Sequence, residues 1–249
     1  MATAQEISEL KVQIALACRI LGVQGVTRGS FGHVSVRIPG EVNKFLIKSK
    51  GPDETALEFA TAHDIITIDE EGAELEAPDG LQAPNETAMH LAVYRNRPEV
   101  NSVIHAHPDW VVVLTAVEKP LLPIYGAYNP GGLHMAMEGI PLYPKSAGIT
   151  DTELGEDFMQ SMGTKDVCML RGHGITAAGR SLERATNNAF TIYELARLNY
   201  LAYAIGEPKV VPEALESGGP REGRTRRPRR EYDRDAAMWK YYRQILGEA

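Results

Sequence analysis

Two histidines one residue apart, His105 and His107, lie in the run Asn101-Ser102-Val103-Ile104-His105-Ala106-His107-Pro108 and carry the clearest chemical signal of the chain. Val103 and Ile104 are β-branched and Pro108 cannot extend a ladder, so residues 101–107 read as a buried strand ending at the proline. Side chains alternate faces along a strand, and residues two apart share one. His105 and His107 therefore project together, where two neutral imidazoles can meet one cation. The competing reading is a pair of half-buried histidines satisfied by hydrogen bonds. His173, in Arg171-Gly172-His173-Gly174, is a third candidate, because its glycine neighbours let backbone approach closely.

Glu86, in Pro84-Asn85-Glu86-Thr87-Ala88-Met89-His90, stands at a predicted helix start. The helix dipole favours an ionised carboxylate there. Beside a divalent cation, Glu86 can be a fourth ligand or a proton carrier that swings away when substrate arrives. His90 lies one turn later on the same side and reads as a structural hydrogen-bonder. Three histidines with an open position have the composition of a catalytic rather than a structural metal site. They suit Zn, Mn, Fe or Co, one ion per subunit, with availability often deciding among them.

Several elements must hold these residues. Ile7, Leu10, Ile14, Ala17, Cys18 and Leu21 recur at helical spacing and predict an N-terminal helix ending near Gly22. A glycine-rich turn, Thr27-Arg28-Gly29-Ser30-Phe31-Gly32-His33, leads into Val34-Ser35-Val36-Arg37-Ile38, whose alternation predicts a half-solvated strand. Strands follow at 45–47 and 65–68, then a helix over 86–94 capped by Asn85. After the histidine strand come an apolar segment at 110–117 and a Pro/Gly-rich region, 121–148, predicted to be irregular with short strands. A helix at 152–162, a strand at 167–170 and a long helix at 181–205 complete the body. Helices interleaved with short strands predict a layered α/β domain.

Residues 217–235 shift to Gly, Pro and Arg and read as a solvated connector rather than a polyanion-binding tail. Beyond it, Met238, Tyr241, Tyr242, Ile245 and Leu246 predict a short docked helix. The expected division is a catalytic domain, 1–211, followed by the arginine-rich connector and C-terminal helix, 212–249, packed on the domain or on a neighbouring subunit. A net charge of −7 argues against nucleic-acid binding, which wants a basic surface. No apolar run is long enough to span a bilayer, and no signal-peptide pattern begins the chain. Cys18 and Cys168 lie in apolar surroundings and read as buried free thiols of a cytoplasmic protein.

In order, these landmarks resemble the class II aldolase/adducin family over roughly residues 5 to 205. Gly32-His33-Val34-Ser35-Val36-Arg37 is similar to the family's Gly-Asn-(hydrophobic)-Ser-x-Arg. Lys48-Ser49-Lys50-Gly51 falls at its substrate-binding turn, Glu86 at its catalytic acid/base, and His105, His107 and His173 at its metal ligands. The resemblance implies a three-layer α/β/α fold around a central, largely antiparallel sheet. It also implies a homo-oligomer, usually a tetramer, with active sites between subunits. Adducin-like members lose the metal ligands; this chain keeps them, which argues against a purely interacting module.

The departures from the family pattern bear on the reaction. Sugar-phosphate aldolases hold phosphate with the Asn of the first motif, a Thr/Ser-Gly turn and a Ser-Ser pair before the Glu. Here those places carry His33, Lys48-Ser49-Lys50-Gly51 and Pro84-Asn85. Most of the hydroxyl donors that phosphate needs are gone, and an imidazole and two ammonium groups replace them. The chain thus resembles the branch that decarboxylates ring-hydroxylated aromatic acids such as dihydroxyphthalate. The expected substrate is a small aromatic carboxylate, bound by Lys48, Ser49, Lys50, Gly51 and Asn85. The aromatic stretch Ile124-Tyr125-Gly126-Ala127-Tyr128 is expected to support that use. Glu86 and His33 are both candidates for the proton donor. The alternative is an aldolase or epimerase acting on a sugar phosphate.

Overall fold

The computed structural model describes residues 2–211 and 233–248; the arginine-rich connector expected within 212–232 lies outside them. Its first element is helix α1 (Ala4–Val23), opened by a capping box in which Thr3 and Glu6 satisfy each other's backbone. Strands β1 (His33–Arg37), β2 (Lys44–Lys48), β3 (Ile65–Asp69) and β4 (Glu74–Glu76) follow, then helix α2 (Thr87–Asn96) and strand β5 (Ser102–Ala106). Next come α3 (Asp109–Ala116), α4 (Pro130–Met137), β6 (Leu142–Tyr143), α5 (Thr152–Met162), β7 (Val167–Leu170) and β8 (Gly174–Gly179). The long α6 (Leu182–Ile205) and α7 (Arg234–Ile245) end the described chain.

Among the described residues the strands form one sheet in the order β4-β3-β2-β1-β5-β8-β7-β6. Every neighbouring pair is antiparallel except β6–β7. Strand alternation divides the side chains between two cores. Val34, Val36, Leu46, Ile104 and Ala106 point toward α1, α3 and α6. Phe45, Ile47, Ile66, Ile68 and Val103 point toward α2 and α5. This is the three-layer α/β/α arrangement. Gly155 of α5 lets the two helices of the second layer touch, since a Cβ there would stand 3.0 Å from that of Ala92.

The same alternation places chemistry. His33 and Ser35 on β1 share the α2 side with His105, and His33 pairs directly with His105 across the β1–β5 ladder. The half-solvated reading of β1 does not hold, because Ser35 is fully buried and His33 nearly so. Their polarity serves an internal hydrogen-bond network rather than water. Residues 121–148 are also more regular than expected. Asn129 accepts from the Gly132 N–H and Pro130 occupies the first turn, which starts α4. Helix α7 lies on α6 of its own chain, with Tyr242 stacked on Phe190 at 4.3 Å and Asn187 donating to Asp235 at 2.9 Å. Cys18 and Cys168 are both buried and unpaired, and burial pushes each thiol up to about 12.

Candidate metal centre

The four candidate ligands come from three places that the sheet brings together. His105 ends β5, His107 follows it by two residues, His173 sits in the β7–β8 turn, and Glu86 precedes α2. Their donor atoms all lie within 4.8 Å of one another. The rings of His105, His107 and His173 form a triangle with centroids 4.6, 4.9 and 4.8 Å apart. Gly174 makes this approach possible, because a Cβ there would stand 2.2 Å from the Ala106 carbonyl oxygen.

Neighbouring backbone orients the ligands. His105 Nδ1 donates to the Ile175 carbonyl at 2.9 Å, which turns Nε2 into the cluster. That nitrogen lies 2.7 Å from His107 Nε2 and 3.2 Å from Glu86 Oε2. Glu86 Oε2 is also 3.4 Å from His173 Nε2, while Oε1 accepts the Ile149 N–H at 2.9 Å. Glu86 itself is the N-cap of α2 and makes no side-chain cap, which corrects the expectation that Asn85 caps this helix. Burial opposes ionisation of Glu86, but His105, His173 and the Ile149 N–H outweigh it and hold the carboxyl far below its usual range. Burial, with His105 and His173 nearby, lowers His107 to about 3. Three imidazoles and a carboxylate are the donor set of a divalent cation, and these residues fit one.

Against this cluster lies a buried polar chain that the sequence only partly revealed. His33 Nδ1 is 2.8 Å from His90 Nε2, His90 Nδ1 is 2.6 Å from Ser35 Oγ, and Ser35 Oγ is 2.8 Å from the Tyr94 hydroxyl. With the Ser35 proton on the Val103 carbonyl, 3.5 Å away, His90 Nδ1 donates to Ser35 and His33 Nδ1 donates to His90. That assignment leaves His33 Nε2 as a free acceptor. Burial, reinforced by His90 and His105, keeps His33 well below its usual value and His90 at about 3, so both are neutral. His90 is thus structural, as its position on α2 implied, but it acts on a candidate site residue.

The expected substrate turn divides. Lys48 does not reach the site; it is 1% exposed. Its Nζ donates to the Ser49 carbonyl at 2.9 Å and faces Glu54 at 3.7 Å and Asp64 at 4.0 Å. Ser49 is buried too, its hydroxyl given to the Asp64 carbonyl. Gly51 is a backbone contact, since a Cβ there would stand 2.1 Å from the Gly80 carbonyl oxygen. Only Lys50 turns toward Glu86, through a hydrogen bond from its Nζ to Asn85. Tyr125 and Tyr128 meet edge to face with centroids 5.6 Å apart, and the Tyr128 hydroxyl donates to Glu194 of α6. Tyr128 lines a cavity of about 870 Å³ with His134, Arg184 and Tyr241, which His105, His107 and His173 do not line.

Asp64 holds the buried lysine cluster. It accepts from the N–H and hydroxyl groups of both Thr55 and Thr61. Asp64→Asn should lower unfolding free energy by about 3 kcal/mol in a denaturant titration, because it leaves a buried cation short of its partner. A change under about 1 kcal/mol would remove the cluster's structural role. Burial raises the Asp64 carboxyl, but the Thr61 and Thr55 donors outweigh it and the net displacement is downward. Its stabilisation is therefore full above the unfolded-chain value of about 3.9 and is lost as pH falls through the lower folded value.

The chain matches the sequence profile of the family described as Class II Aldolase and Adducin N-terminal domain over residues 12–200. It is 39% identical over 196 residues to a 3,4-dihydroxyphthalate decarboxylase of Arthrobacter keyseri, covering 78% of each chain. It is 28% identical over 203 residues to an L-fuculose phosphate aldolase of Escherichia coli, covering 82% of this chain and 88% of the other. An aldolase II superfamily protein of Pseudomonas syringae superposes with a TM-score of 0.80 at 22% identity, over 98% of this chain and 94% of that one. None of the described helices is long and apolar enough to cross a membrane.

Proposed function

The chain belongs to the class II aldolase and adducin family, and from that premise we propose that it is a metal-dependent carbon–carbon lyase that decarboxylates a ring-hydroxylated aromatic acid, with 3,4-dihydroxyphthalate the best-fitting substrate. The observation that carries the reading is the placement of a neutral imidazole, His33, beside the Glu86-His105-His107-His173 donor set. The fate of the substrate turn supports it against sugar-phosphate cleavage. A phosphate wants clustered free hydroxyls, yet the Ser49 hydroxyl is committed to Asp64 and Lys48 to its own ion cluster.

His105, His107 and His173 would hold the divalent ion, with Glu86 as a fourth ligand. When bound, the ion supplies Lewis acidity that draws negative charge toward the substrate's hydroxyl oxygen. The residues of the chain do the rest. Lys50 and Asn85 take the carboxylate that is retained, as charged and amide donors beside Glu86. His33 Nε2 accepts the proton of the hydroxyl ortho to the departing carboxylate, and His90 fixes the ring through Nδ1. His33 then returns that proton to the ring carbon bearing the carboxylate. The carbon–carbon bond breaks, its electron pair restores the aromatic ring, and CO2 leaves. Glu86 stays ionised throughout and keeps His105 and His173 in place. The active assembly is proposed to be a homo-oligomer, a tetramer or higher.

The test is a substrate comparison on the purified, metal-loaded protein. CO2 release from 3,4-dihydroxyphthalate should exceed any carbonyl formation from L-fuculose phosphate by at least a hundredfold, on the order of what mismatched polar groups cost an enzyme. Preference for the sugar phosphate would overturn the decarboxylase assignment.

A further inference from the structure

Phe31 is a large apolar side chain left 65% exposed, and it stands against a proposed metal ligand. Its ring lies 5.6 Å from that of His107 and is tilted from it by only 23°. An exposed phenylalanine on a free loop would mean little, but this loop is fastened to the histidine strand. The Thr27 hydroxyl, itself buried, donates to the Phe31 carbonyl at 2.8 Å and accepts the His107 N–H at 3.5 Å. Gly29 O accepts the Leu57 N–H, and Arg28 pairs with Asp109 of α3 at 3.0 Å. Gly32, with φ of +89°, passes so close to β5 that a Cβ would meet the His105 carbonyl oxygen at 2.7 Å. The ring is held at the edge of the cluster, and its position is independent of its own burial.

The side chains placed beside the donor set above, His33, Lys50 and Asn85, are polar. Those groups position oxygens but offer no apolar face to a planar ring. Of the tyrosines expected to provide one, Tyr125 is buried in the core and Tyr128 bonds Glu194 of α6. We propose that Phe31 is a specificity-determining residue, which stacks on the ring of an aromatic hydroxy acid bound at the histidines and selects it over aliphatic hydroxy acids. The proposal rests on the aromatic-acid reading above and adds the residue that recognises the ring. Aromatic pairs favour offset-stacked or edge-to-face contact, which a planar catechol can make and a sugar or short hydroxy acid cannot.

The experiment uses the full-length, metal-loaded protein and two probes, 3,4-dihydroxybenzoate and glycolate, titrated calorimetrically. Phe31→Leu keeps apolar bulk but removes the π-face; it should weaken 3,4-dihydroxybenzoate about tenfold and leave glycolate within about twofold. Phe31→Trp should recover most of the lost affinity. Metal content should match the parent in both variants. In turnover of 3,4-dihydroxyphthalate, the Phe31→Leu loss should fall on KM more than on kcat. Equal weakening of both probes, or undiminished binding of the aromatic probe, would overturn the proposal. Failure of the parent protein to bind 3,4-dihydroxybenzoate would overturn it as well. If the probes discriminate as expected but no CO2 is released from 3,4-dihydroxyphthalate, the reaction assignment fails and the ring-recognition role of Phe31 stands.

Discussion

Replacing His107 with alanine should yield a folded protein with background metal content and no measurable decarboxylation. The residue lies beyond the end of β5, and its ring packs on Phe31, His105 and His173 rather than into either apolar core. Its loss therefore removes one of three imidazole donors without opening a cavity under the sheet. A bound divalent ion contributes several kcal/mol of charge stabilisation, so activity should fall by about a thousandfold or more. Metal analysis after dialysis, with a thermal melt to show the fold intact, checks both halves. A stoichiometric ion in the variant would mean that the cluster is not the metal site.

His33→Asn should separate proton transfer from metal binding. Asparagine is the residue that the aldolase pattern carries at this place, and its amide can still accept a hydrogen bond but cannot shuttle a proton. The variant should retain its metal and bind substrate, yet lose kcat by on the order of a hundredfold, the usual contribution of a positioned acid–base group. Glu86→Gln should behave differently. It weakens the carboxylate's hold on His105 and His173, so metal affinity and turnover fall together. Near-normal kcat in His33→Asn, with a large loss only in Glu86→Gln, would transfer the proton to Glu86.

Strand alternation made part of this site readable in advance. Val103-Ile104 fixed the phase of β5, and the two histidines followed from it. The helices at 152–162 and 181–205 and the strand at 167–170 were equally plain, because caps and apolar runs mark them locally. Strand β8 was not visible, since Gly174-Ile175-Thr176-Ala177-Ala178-Gly179 offers small residues whose strand state depends on pairing with β5 and β7. Lys48 was misread for a related reason. A lysine at the end of a strand is ordinarily solvated, and the acid buried with it, Asp64, arrives sixteen residues later through the β2–β3 pairing. His90 could be placed on the right helix face, but its two partners come from β1, some 55 residues earlier. Local pattern reaches as far as one element. Networks that join several need the topology.

The concealment of both thiols has a practical consequence. Cys18 and Cys168 are the only cysteines in the sequence, and each is buried and protonated at neutral pH. Thiolate is the reactive form, so the folded chain offers almost no background to a maleimide. A single cysteine introduced at Ser30, beside Phe31, would accordingly take a fluorophore at one address, and ligand arrival at the histidines could be followed as a change in emission without first removing the native cysteines.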